Sequence, residues 1–214
     1  EAHGLQVARM LGVEGTDASA AQALRAINPA NLVSMFAKWR LMIGGPPAPT
    51  IARAIVDGWA IPFPVDQALK RGKFNKVPII IGTNADEGTV AIRETPLRNV
   101  EEFHQALRRW YFDKTGILAE AYPVTDEILP VLQRLWGEEK YGAPTRAFAR
   151  LASASGARVF LYYFTRVGDG PGQSLGAFHG SQVSFAFGQL TIAPNLGRTP
   201  YDSALSQTMS DYWV

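Results

Sequence analysis

Apolar and polar residues recur along this chain with two different periods, and the changes between them mark its elements. LQVARMLG (5–12) places apolar side chains at helical spacing and stops at a glycine. Thr16 or Asp17 can cap a second helix, whose apolar positions continue through ALRAI. NPANLVSMFAKWR predicts a third helix, with Asn28 as cap and Pro29 in the first turn, where a missing N–H leaves no bond unmade. GGPPAPT (44–50) is a turn-rich connecting loop. VPIIIGTN (77–84) is a short unbroken apolar run, the pattern of a strand buried on both faces of a helix-covered parallel sheet. Helical periodicity returns over 99–114 and again from Thr125 to Ser155, where two helices are expected, broken near GEEKYGAP. RVFLYYFTR (158–166), rich in β-branched and aromatic residues, is the second strand. YDSALSQTMSDYW closes the chain as a helix.

Two strands make no stable sheet for a chain of 214 residues. The neighbouring strands are expected outside this segment. The fold class is therefore α/β, with two core strands, several helices and the remainder of the sheet elsewhere. A chain that starts at Glu1 and starts and stops in helix-like sequence reads as a piece of a longer polypeptide.

Composition narrows the partners. Hydrophobic residues make up 47% and charged residues 19%, which excludes a disordered chain. The net charge is only +2, from 21 basic and 19 acidic side chains without a long basic run, so nucleic acid is not an expected partner. Apolar stretches reach about eight residues, far below the roughly 20 of a membrane span. The absence of cysteine excludes disulfides and thiolate metal sites, and leans toward a reducing, cytoplasmic compartment.

Each apolar strand is followed by a glycine-containing loop bearing a group fit for acid–base chemistry. GTNADEG carries Asp86 and Glu87, and RVGDGPGQSLGAFHG carries His179. Ligands of helix-covered parallel sheets bind beyond the carboxyl ends of the strands, so a carboxylate and an imidazole placed there can share one site. GQSLG fits the G-x-S-x-G signature of a serine nucleophile at Ser174. A nucleophile elbow, however, needs a strand entering the serine and a helix leaving it. GDGPGQ is no core strand, and the glycines of LGAFHG disfavour a helix. Ser174 also gives the chain order acid, serine, histidine, where an α/β-hydrolase has serine, acid, histidine. It is set aside.

VDGWAIPFPVDQALKRGKFNKVPIIIGTNADEGT closely resembles the type B carboxylesterase and cholinesterase family. GAFHGSQVSFAFG resembles that family's G-x-x-H-G-x-E block and its aromatic continuation, and LSQTMSDYW resembles its late helix. The resemblance implies that residues 1–214 are the C-terminal portion of a single α/β-hydrolase catalytic domain. It implies hydrolysis of small-molecule carboxylic esters by a Ser-His-Glu triad, with no metal or organic cofactor. Glu87 matches the triad acid and His179 the general base. The serine and the glycine-rich oxyanion loop belong to the N-terminal remainder, so the chain by itself is expected to be inactive. Gln182 departs from the pattern, standing where the family usually has glutamate.

Duller readings accompany each residue. Glu87 fits a carboxylate in a helix's first turn, and His179 fits a loop histidine bonded to backbone. Asp86 reads as a cap or turn residue and Asp169 as a turn residue or backup acid. His3 and His104 lack partners at metal-ligand spacing, and NADEG lacks the closing glutamate of a calcium loop. Phe178, Phe185 and Phe187 fit either an acyl pocket or core packing. Two rival functions also stand beside the esterase: a non-catalytic cholinesterase-like adhesion or binding domain, and a free-standing helical domain.

Overall fold

The computed structural model describes residues 2–40, 55–170, 173–192 and 199–213, and the GGPPAPT loop lies outside them. The chain divides into two compact units, Glu1–Phe63 and Pro64–Val214. The first carries helices α1 (Ala2–Met10), α2 (Ala18–Ala26) and α3 (Pro29–Arg40). Asp17, rather than Thr16, caps α2: its Oδ1 accepts the Ala20 N–H at 2.9 Å. Asn28 accepts the Ala30 N–H at 2.8 Å, as its sequence position predicts. Ala8, Val13 and Ala20 form this unit's small core.

In the second unit, α4 (Val65–Lys70) leads into β1 (Ile79–Asn84), which pairs in parallel with β2 (Val159–Phe164). The register runs from Ile79 opposite Val159 to Asn84 opposite Phe164. A parallel pair needs a long crossover. Here it consists of α5 (Val100–Tyr111), α6 (Thr115–Ala121), α7 (Ile128–Gly137) and α8 (Ala143–Ala154). The break expected near GEEKYGAP does not occur. A π turn over Glu138–Gly142 joins α7 to α8. Pro144 lacks the N–H of an ordinary turn, and the wider π turn just before it carries the helix through.

Among the described residues, three apolar clusters hold these pieces. Leu69, Ala152 and Ala157 pack with Phe148, Ile79 and Val159, seating α4 and α8 against the strands. Phe103, Leu107, Tyr122, Ile128, Leu132 and Leu135 join α5, α7 and the end of α6. Phe164, Ala177, Phe185, Ala186 and Met209 bind the end of β2 to α9 (Val183–Ala186) and α10 (Pro200–Trp213).

β2 departs from the pattern of a strand buried on both faces. Phe160, Leu161 and Tyr163 are 51%, 57% and 64% exposed. Side chains alternate across a strand, so both faces are open. Among the described residues the sheet has only these two strands, too narrow to be covered as its apolar sequence demands.

Candidate active site

The site lies where β1 and β2 end side by side. β1 stops at Asn84 and the chain turns sharply. That turn lets Glu87 fold back, with its Oε1 accepting the Asn84 backbone N–H at 2.7 Å. Its other oxygen, Oε2, is 2.7 Å from Nδ1 of His179. The carboxylate is buried, only 7% of Glu87 being exposed, whereas half of the imidazole is open. Two glycines make room for this turn. A Cβ on Gly88 would overlap the Gln133 carbonyl oxygen, and one on Gly137 would stand 3.1 Å from the Glu87 Cβ. The end of α7 therefore packs directly over the acid.

The loop bearing His179 is fastened to the loop bearing Glu87. Asp86 donates its N–H to the Ala177 carbonyl at 3.0 Å, and its Oδ2 accepts the Ala177 N–H at 2.7 Å. A parallel bridge between Asp86 and Phe178 thus continues the strand pairing past Phe164. The Asn84 Nδ2 reaches the Phe178 carbonyl and Gln182 Oε1, each at 2.7 Å. Gln182 Nε2 lies 3.3 Å from the Tyr162 hydroxyl, so an uncharged amide closes the network. Tyr141 stacks on the His179 ring, with centroids 4.6 Å apart and planes 23° apart. Trp136 meets Tyr141 edge-on at 5.7 Å.

At the root of the same loop, Arg166 grips Asp202 of α10 through Nε at 2.6 Å and Nη2 at 3.0 Å. This two-pronged bond draws the buried Asp202 carboxyl down to about 2, against the opposing effect of burial. Thr199 adds to the lowering by donating its N–H at 2.8 Å. The partnership holds the Arg166 guanidinium firmly in its charged form.

The remaining sequence candidates disperse. Asp169 bonds Arg166 at 2.7 Å. Ser174 is exposed in irregular chain, after β2 has ended at Phe164 and before the next helix begins at Val183. Phe185 is core, its ring 5.2 Å from that of Phe164, Phe187 is exposed and Phe178 is half-buried. His104 sits half-buried on α5 against the Phe103 ring. The side chain of His3 lies outside the described residues. Among the described residues no group of three or more His, Cys, Asp or Glu could hold a metal ion. The sequence reading missed Asn84 and Tyr141. A lone amide ending an apolar strand is a visible signal for Asn84. Nothing local marks Tyr141.

A model of the carboxylesterase family matches residues 2–214. The chain belongs to the carboxylesterase family. It is similar to the fumonisin B1 esterase of Sphingopyxis macrogoltabida, 25% identical over 169 residues that cover 75% of this chain and 31% of that protein. It is similar to the acetylcholinesterase of Leptinotarsa decemlineata, 26% identical over 170 residues that cover 69% and 26% respectively. This carboxylesterase-family chain thus spans about a third or less of those relatives. Its structure resembles a PNB esterase, with a TM-score of 0.73 at 22% identity, over 96% of this chain and 42% of the other. A thermophilic PNB esterase matches at a TM-score of 0.73 and 23% identity, over 99% and 43%. Those likenesses establish the fold, which is that of the α/β-hydrolases. No helix among the described residues is long and apolar enough to cross a membrane.

Proposed function

We propose that this chain is the C-terminal portion of a carboxylic ester hydrolase domain, supplying the acid and base of a Ser-His-Glu triad whose serine lies upstream of residue 1. The observation that carries the proposal is the 2.7 Å contact between a buried carboxylate and one nitrogen of a half-open imidazole. Engaging Nδ1 with Glu87 fixes the tautomer and leaves Nε2 to accept the serine proton during attack on the ester carbonyl. His179 then returns that proton to the departing alcohol, while the Glu87 carboxylate stabilises the imidazolium formed in between. Donors for the tetrahedral oxyanion come from the upstream segment. The open faces of β2 support the same reading, because they offer apolar surface for covering elements supplied by the rest of the domain.

The test joins the chain to its nucleophile-bearing segment and assays an activated p-nitrophenyl ester. His179→Ala and Glu87→Gln should each lower kcat by on the order of 10⁴ to 10⁶, the range for losing one triad member. The 214-residue chain alone should give no acylation burst. Full activity in either variant, or a burst from the lone chain abolished by Ser174→Ala, overturns the assignment.

A further inference from the structure

We infer that Tyr141 is a positioning residue for His179, and that the π turn carrying it sets the plane in which the imidazole works. The inference deepens the esterase reading above and rests on it. A single bond from Glu87 Oε2 to Nδ1 fixes one atom of the ring but not its rotation. The ring torsion of histidine is broad. With half its side chain open, His179 has no enclosing core to supply the missing restraint. The Tyr141 face, nearly parallel to the imidazole at 4.6 Å, does so.

The placement of Tyr141 is itself over-determined. It sits in the π turn Glu138–Gly142, which rotates the helix face relative to a regular α-helix. Two neighbouring residues anchor that turn. The Tyr122 hydroxyl donates to Glu138 Oε2 at 2.9 Å, and the Tyr111 hydroxyl donates to Glu139. Trp136 packs its ring against Tyr141 from the preceding turn. Through Gly137 the same stretch presses on Glu87. One short segment, Trp136–Tyr141, therefore walls both halves of the pair, bracing the acid from above and the base from its face.

Stacking uses the ring and not the hydroxyl, which gives a discriminating pair of variants. In the joined polypeptide, Tyr141→Phe should keep kcat within about twofold. Tyr141→Leu should lower kcat by about 10- to 100-fold at unchanged KM, the scale of a small misplacement of a reacting group. Proton NMR of the joined polypeptide reads the geometry without activity: the upfield ring-current shift of the His179 ring protons should persist in Tyr141→Phe and vanish in Tyr141→Leu. Should circular dichroism find Tyr141→Leu unfolded, Tyr141→Met takes its place. Wild-type kcat in the aliphatic variant, equal losses in both variants, or a change in KM instead of kcat overturns the inference. Full activity in His179→Ala would instead strike at the esterase reading.

Discussion

Glu87 reaches the site three residues beyond the end of β1, its carboxylate bonded back to its own strand's last N–H and the end of α7 packed over it. His179 arrives on a much longer loop after β2, and the contacts that fasten that loop to the site come from distant parts of the sequence. Its root is held by Asp202, its middle by Asp86, its tip by Asn84 and its ring by Tyr141 and Glu87. The acid is positioned mainly by its own turn and the base mainly by tertiary structure. Damage to tertiary contacts should therefore displace the histidine while leaving the glutamate turn intact.

The largest effect is expected at the root. Asp202→Ala leaves Arg166, only 17% exposed, without its main partner, and breaking a buried pair of this kind costs about 3–5 kcal/mol. Urea unfolding reads the loss. The wild-type pair also imposes a pH dependence. The Asp202 carboxyl is lowered in the fold from an ordinary 3.8 to about 2, so its stabilisation is complete above pH 4 and fades as pH falls toward 2. That contribution is about 2 kcal/mol at 1.36 kcal/mol per unit. Asp202→Asn should flatten the acid limb, and an unchanged limb would show that the pair does not govern it.

At the tip, Asn84→Ala removes the donors to the Phe178 carbonyl and Gln182 while sparing the backbone N–H that holds Glu87. The expected cost is about 1–3 kcal/mol, from acceptors left unpaired in a partly buried site. The comparison is sharpened by hydrogen exchange: the amides of Ala177 and Ser181 should lose protection, and those of residue 84 and Thr89, bonded within the Glu87 turn, should keep it. Equal loss in both loops contradicts the division into local and tertiary placement. In the middle, Asp86→Asn retains an oxygen for the Ala177 N–H but weakens a charge-assisted bond, for about 1 kcal/mol.

This division also explains what could be read from the sequence. The β1 run, the helix caps and the sharp turn at Glu87 rest on neighbours in the chain, and their residue types announce them. The two apolar runs similarly predict the parallel pair that brings the acid and base together. The reading of Asp86 as a cap or turn residue falls short because Ala177 and Phe178, which make it a splice between loops, lie about 90 residues away. The π turn was read as a break because glycine and proline signal one. Only the anchoring of Glu138 and Glu139 by tyrosines of other elements reveals a continuous helix. The apolar run of β2 predicts burial of both faces, and the two strands among the described residues leave that surface open.

The smallest effect concerns Gln182, whose amide joins two polar partners. Its Oε1 accepts from Asn84, a role that a carboxylate oxygen fills equally well. Its Nε2 faces the Tyr162 hydroxyl, which can rotate and donate to an oxygen instead. Gln182→Glu should therefore keep the network's connectivity while reversing the direction of one bond, with stability changed by less than about 1 kcal/mol. The added negative charge is the only new element. If it stays paired with Asn84 and Tyr162, the exchange protection of the His179 loop should match that of the wild type. A loop that loosens in Gln182→Glu but not in Gln182→Met would assign the effect to the carboxylate's desolvation rather than to lost bonding, and would make the amide a requirement of this chain rather than a tolerated substitute.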